Sequence, residues 1–186
     1  MNIPRAEANR FIRLYHHLMW YAGRRRKIIP AAMTLEEFIE EPLEVKAQCR
    51  DKIYARKALF ADFIRDEGAS LSPEDREMVT QWQRYHVHGD FIALRYWNNY
   101  LVLLPTFGRA QAYGVWGLIS KLKKLLPPRR LPFLVTTALL PCAGVIVADG
   151  LFSEPGVFIG PNMQRDMNDQ FDAIRAAGGF ITAFPP

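Results

Sequence analysis

His86 and His88 stand two residues apart, and on a strand that spacing sends both imidazoles to one face. With Asp90 two positions further on, three side chains of the types that hold zinc fall in line. No second His or Cys pair stands at ligand spacing, so a partly exposed helix end is the expected reading, with no metal and no cofactor. Asp149-Gly150 ends a long uncharged stretch, a place where a rigid strand end offers a carboxylate to an open loop. A plain turn explains the same pair, since Asp before Gly is a common turn sequence. A hydrolase-like enzyme built from these groups would set Asp149 against His86 or His88 in a cleft between the halves of the chain. Cys142 is flanked by Pro141 and Ala143, which supply no cation to lower a thiol pKa, and reads as inert. Neither a G-x-S-x-G elbow nor a glycine-rich phosphate loop occurs.

Two basic clusters are the more concrete lead. Arg24, Arg25, Arg26 and Lys27 follow one helical pattern, and Lys121, Lys123, Lys124, Arg129 and Arg130 precede the uncharged stretch. Brought together, such groups neutralise phosphates, and exposed members among Tyr96, Trp97, Tyr113 and Trp116 stack on unpaired bases. The first expectation is therefore a non-catalytic binding protein whose partner is a nucleic acid or another protein. The alternative for the same residues is plain: charges at the end of a helix meet its dipole, and aromatics fill a core. A formal charge of +5 over 186 residues permits an acidic partner without demanding one. It divides into +2 for residues 1–89 and +3 for residues 90–186.

The elements that must position these groups change character at Gly89. Before it the periodicity is helical: Phe11, Leu14, Tyr15, Leu18, Met19 and Ala22 line one side of a first helix. Thr34 with Glu37 is a capping box ahead of a short helix. Pro42 then opens a longer helix that carries Val45, Cys49, Ile53, Phe60 and Ile64 to a stop at Gly68. Ser72-Pro73-Glu74-Asp75 starts another, which ends near Tyr85. After Gly89, short β-rich runs alternate with turns: 91–96 and 100–104 joined at Asn98-Asn99, then 111–118, where Gly114 and Gly117 mark a bulge or a close approach. Residues 121–128 read as a helical turn or linker, and 162–177 as a late helix before a short strand at 180–184.

Leu131 to Ala148 carries no charge, which is near the lower limit for a membrane-spanning helix. Pro141 in its midst, Gly144 and the β-branched residues on either side argue instead for two buried strands, 133–140 and 145–148, joined by a Pro-Cys-Ala-Gly turn. The expected architecture is α+β: a helical region at 1–89 packed on a small, strongly bent antiparallel sheet or barrel at 90–186 with one late helix. Two cysteines far apart and no apolar leader in Met1 to Glu7 point to the cytoplasm and away from a membrane.

Leu140 to Leu151, LPCAGVIVADGL, the glycine-bounded helix after it and Gly178-Gly179-Phe180-Ile181-Thr182 are similar to the C-terminal block of a bacterial family of hypothetical proteins. Phe11-x-x-Leu14-Tyr15 resembles that family's N-terminal pattern, so the likeness spans most of the chain. Cys142 stands where the family usually has an aromatic, and Ala148 where it often has tyrosine. The resemblance implies no activity, cofactor or site residue.

Overall fold

The computed structural model describes residues 3–118, 122–153, 156, 157 and 159–185. The chain divides into two units, Met1–Tyr85 and His86–Pro186.

The first unit is helical. α1 (Arg5–Arg25) buries Phe11, Leu14, Tyr15, Leu18, Met19 and Ala22 on the face that their spacing dictates. Gly23, near its end, lies against α3 (Leu43–Ala55): a Cβ there would stand 2.6 Å from Cys49 Sγ, so only glycine lets the two elements approach this closely. α2 (Leu35–Glu40) opens with the complete capping box, the Glu37 amide donating to Thr34 Oγ1 and the Thr34 amide to Glu37 Oε2. α4 (Ala58–Glu67) is separate from α3, so the single long helix expected from Pro42 to Gly68 is in fact two. The physical reason is Lys57: an unbroken helix would carry the Val45-Cys49-Ile53 row onto this charged side chain. The break instead leaves Arg56 and Lys57 exposed and realigns Leu59, Phe60 and Phe63 inward. α5 (Pro73–Arg84) starts from Ser72, whose hydroxyl accepts the Asp75 amide, and buries Trp82 edge-on to Phe11 and Tyr15.

The second unit carries a six-stranded mixed sheet. β1 (Val87–Trp97) pairs antiparallel with β2 (Tyr100–Pro105) through a turn in which Asn98 and Asn99 both take positive φ. β2 pairs antiparallel with β3 (Ala112–Trp116). After α6 (Leu122–Leu125) and a 3-10 turn at Pro128–Arg130, β4 (Phe133–Cys142) returns antiparallel to β1, then to β5 (Val145–Ala148). β5 runs parallel to β3, which closes a ring of pairings in the order β1-β2-β3-β5-β4. The sheet is therefore mixed and not wholly antiparallel. α7 (Pro161–Ala176) and the two-residue β6 (Phe180–Ile181), itself parallel to β3, end the unit; β6 is shorter than the run expected at 180–184.

Strand alternation sorts the side chains. Phe91, Ala93, Leu101, Leu103, Tyr113, Val115, Val135, Leu139, Ile146 and Ala148 form one cluster, closed by Leu122 and Leu126 from the β3–β4 connection. Ile92, Leu94, Val102, Leu104 and Ala112 face the other way, against Phe171 and Ile174 of α7. A bulge between Ala93 and Arg95 shifts the phase, so Tyr96 rejoins the first cluster and Trp97 the second. The uncharged stretch is thus β4, a turn at Ala143-Gly144 with positive φ, and β5. Among the described residues no helix is long and apolar enough to cross a membrane.

Candidate nucleic-acid interface

From Phe91 to Ala148, the whole length of the strand ring apart from the start of β1, there is no acidic residue, while Arg95, Arg109, Lys121, Lys123, Lys124, Arg129 and Arg130 are all basic. The net charge of the C-terminal half hides this asymmetry, because Asp149, Glu154, Asp166, Asp169 and Asp172 follow later in the chain. Arg95 is matched: its guanidinium donates to Asp172 at 2.9 Å and lies 5.0 Å from the Phe171 ring. Among the described residues Arg109, Lys123, Lys124 and Arg129 are exposed and take part in no ion pair. Lys123 Nζ sits 5.1 Å from the Tyr96 ring and the Arg130 guanidinium 5.7 Å from the Phe133 ring. Lys121 lies outside the described residues.

The turn between β1 and β2 gathers a strip of aromatics on the other face of the sheet from Tyr96, with the Arg175 guanidinium 5.2 Å from the Trp97 ring. Trp97 and Tyr100 pair across the hairpin, and the Tyr100 ring stands edge-on to Trp116 at 5.4 Å. Phe180 completes the strip, 5.3 Å from Trp97 and 6.0 Å from Tyr100. It is seated over Gly114, where a Cβ would come within 2.7 Å of its ring, so the close approach expected of that glycine is real. Trp97, Tyr100, Trp116 and Phe180 each keep part of their surface in solvent. Tyr96 behaves differently. Its hydroxyl donates to the Leu126 carbonyl at 2.9 Å, tying the hairpin to the connection that bears Lys123 and Lys124, and burial pushes its pKa up to about 12. Tyr113 is buried in the interior cluster and offers no face to a base.

The other basic run is differently placed. Arg24 to Lys27 are exposed at the end of α1, where Arg24 covers the Trp20 ring at 4.5 Å and Arg25 lies 3.7 Å from Asp66. Both are accounted for by the helical unit itself. No chemistry known from elsewhere guides these assignments. Comparison with protein-family models, with curated proteins and with solved structures finds no match.

The groups with catalytic potential are held in structural bonds. Asp149 is buried and its Oδ1 accepts the Thr137 hydroxyl at 2.8 Å and the Leu151 amide at 3.0 Å, a turn that redirects the chain after β5. The register places His88 opposite Ala138, and the Asp149 amide donates to the Ala138 carbonyl, so His88 and Asp149 occupy one row on either side of β4. His86 precedes that row. Asp90 accepts the Thr136 hydroxyl at 2.5 Å, and among the described residues no three His, Cys, Asp or Glu side chains are grouped to hold a metal ion. The metal geometry that His86, His88 and Asp90 suggest by spacing is thus not formed. Neither Cys49 nor Cys142 is in a disulfide, and burial raises the Cys49 thiol pKa to about 11, away from reactivity.

Proposed function

We propose that this chain is a non-catalytic, cytoplasmic binding protein and that the strand ring of its second unit takes up single-stranded nucleic acid. The observation that carries this reading is the strip Trp97, Tyr100, Trp116 and Phe180 in the same unit as exposed Lys123, Lys124 and Arg129, which fall within residues 91–148, a run without one acidic residue, and take part in no ion pair among the described residues. Aromatic faces stack on any base, and a backbone of phosphates is drawn by unmatched Lys and Arg, so this pairing suits a ligand read by shape and charge over one read by sequence. The order of the ring gives further support, since small five-stranded barrels recur as platforms for oligonucleotides. Duplex DNA is disfavoured, because its bases are read by an element laid in a groove, and the strip, among the described residues, is made of strand residues of the sheet itself.

The test is titration of a fluorescent oligothymidylate at rising salt. Four phosphate contacts to a single strand predict a slope of log K against log salt of about −3. Replacing Lys123, Lys124, Arg129 and Arg130 by Glu is expected to flatten that slope and remove binding at low salt. Absence of binding by the unaltered chain, or binding indifferent to salt, would sink the proposal in favour of a protein partner held by apolar contact.

A further inference from the structure

Phe107 is 87% exposed, the most open of the large apolar side chains described. It stands in the loop 106–111 that joins β2 to β3, at the opposite end of those strands from Tyr100 and Trp116. Its root is fastened. The Thr106 amide and hydroxyl both donate to the Asp90 carbonyl, at 3.0 and 3.1 Å, and the Ala112 amide donates to the Gly179 carbonyl at 3.0 Å. Gly108 takes φ +106, a conformation that carries the chain round sharply next to Phe107 and that an L side chain rarely adopts. Arg109, exposed and in no ion pair among the described residues, follows at once. The carboxylate at the root, Asp90, receives the Thr136 hydroxyl. A phenyl ring presented on a pinned loop, with an unmatched guanidinium two residues on, repeats in miniature the chemistry of the strip.

We infer that this loop is a second contact for the same ligand, Phe107 stacking on an unpaired base and Arg109 meeting the adjoining phosphate. The inference rests on the nucleic-acid reading. β2 has six residues, so Tyr100 in the strip and Pro105 next to the loop lie roughly 17 Å apart at the rise of a strand. A dinucleotide held at the Trp97–Trp116 strip cannot span that distance, whereas a longer strand engages both ends. Affinity therefore depends on length through Phe107.

The experiment compares a thymidine dinucleotide with an oligothymidylate of about 16 nucleotides, the upper limit of site size for folds of this type. Phe107→Ala is expected to weaken the long ligand about tenfold, the loss of one stacked base, and to leave the short one unchanged. Phe107→Trp should restore the long-ligand affinity, and Phe107→Leu should not, because a base stacks on a ring and not on a branched alkyl group. An exposed side chain leaves the fold intact when replaced, and unaltered circular dichroism of each variant verifies this. Equal loss at both lengths, or no loss at either, overturns the second contact while the salt dependence of the unaltered chain still upholds the nucleic-acid reading. A chain that binds neither length overturns that reading and the inference with it.

Discussion

The two units treat their charges in opposite ways. In the helical unit cations meet anions: Arg13 donates to Asp75 at 2.7 Å, Arg10 approaches Glu7 and Asp75 at 3.3 and 3.7 Å, and Arg65 reaches Asp62 and Asp66 at 2.8 Å each. In the strand ring the run 91–148 supplies no acid of its own: Arg95 is met by Asp172 of α7, while Arg109, Lys123, Lys124 and Arg129 take part in no ion pair among the described residues. The helical unit contains more basic residues than the ring, yet acidic residues are interleaved with them along the chain and several are held in ion pairs. What marks an interface is the local lack of opposite charge, a quantity that neither a net charge nor a basic run reveals.

Swapping the sign of each cluster separates the two cases most sharply. Glu at Lys123, Lys124, Arg129 and Arg130 should weaken oligonucleotide binding by at least about 100-fold at low salt, through lost phosphate contacts. Glu at Arg24, Arg25, Arg26 and Lys27 should change it by less than about threefold, since Arg24 and Arg25 are already engaged by Trp20 and Asp66 within the helical unit. If the second set matters as much as the first, matched and unmatched charge is the wrong distinction.

Removing one member of a charge pair should cost stability only where the pair exists. Asp75 is buried, accepts from Arg13 and sits in the first turn of α5, so Asp75→Ala is expected to lower unfolding free energy by about 2 kcal/mol. Arg129→Ala, in the ring, should alter it by less than about 0.5 kcal/mol. Urea denaturation of both variants measures the difference.

A third change distinguishes stacking from charge within the ring. Gly114→Ala puts a methyl group 2.7 Å from Phe180 Cζ, 3.0 Å from Thr182 Cγ2 and 3.0 Å from Tyr100 Cδ1. Overpacking of this kind costs about 1–3 kcal/mol and displaces the aromatic strip without touching a cation. Affinity should fall while the salt slope stays, and a slope that falls with it would mean the strip only supports the charges.

Local signals in the sequence carried through to the structure wherever a few neighbouring residues settle the outcome. The Thr34–Glu37 box, the Asn98-Asn99 turn and the strand–turn–strand of the uncharged stretch are all of this kind, because caps and positive-φ turns are decided within four residues. The parallel pairing of β3 with β5 was not legible: it joins segments thirty residues apart, and the pattern of a buried strand does not state direction. The interface was half legible. Lys123, Lys124, Arg129 and Arg130 were named by their run, but so were Arg24 to Lys27, since nothing near Arg25 in sequence announces Asp66, forty-one positions on. Tyr113 was read as a candidate stacking residue and proves to be core, while Tyr100 and Phe107 carried no signal beyond being aromatic. The acid-free run was visible throughout and was masked by averaging over the half-chain.

Protons provide the mildest contrast. The ring from Phe91 to Ala148 contains no His, Asp or Glu, so its own side chains bind no protons between neutral pH and pH about 4. In the helical unit His16 and His17 have pKa values below the ordinary 6.5, chiefly because burial disfavours the imidazolium; Lys46 adds to this at His16, while Glu67, 3.5 Å from His17, opposes it. Both rings are therefore more readily protonated unfolded than folded. Their contribution to stability is complete above pH about 6.5 and is lost as the pH falls through the folded values. Amide hydrogen exchange should accordingly accelerate in α1 below pH about 6, relative to its intrinsic rate, while β2 and β3 hold their protection. Glu67→Gln removes the larger of the two carboxylates, Glu67 and Asp75, that favour the charged form of His17, so it should steepen the acid loss in α1. A variant with both histidines replaced by Asn that keeps the same pH dependence would assign the effect to carboxylates and erase this difference between the units.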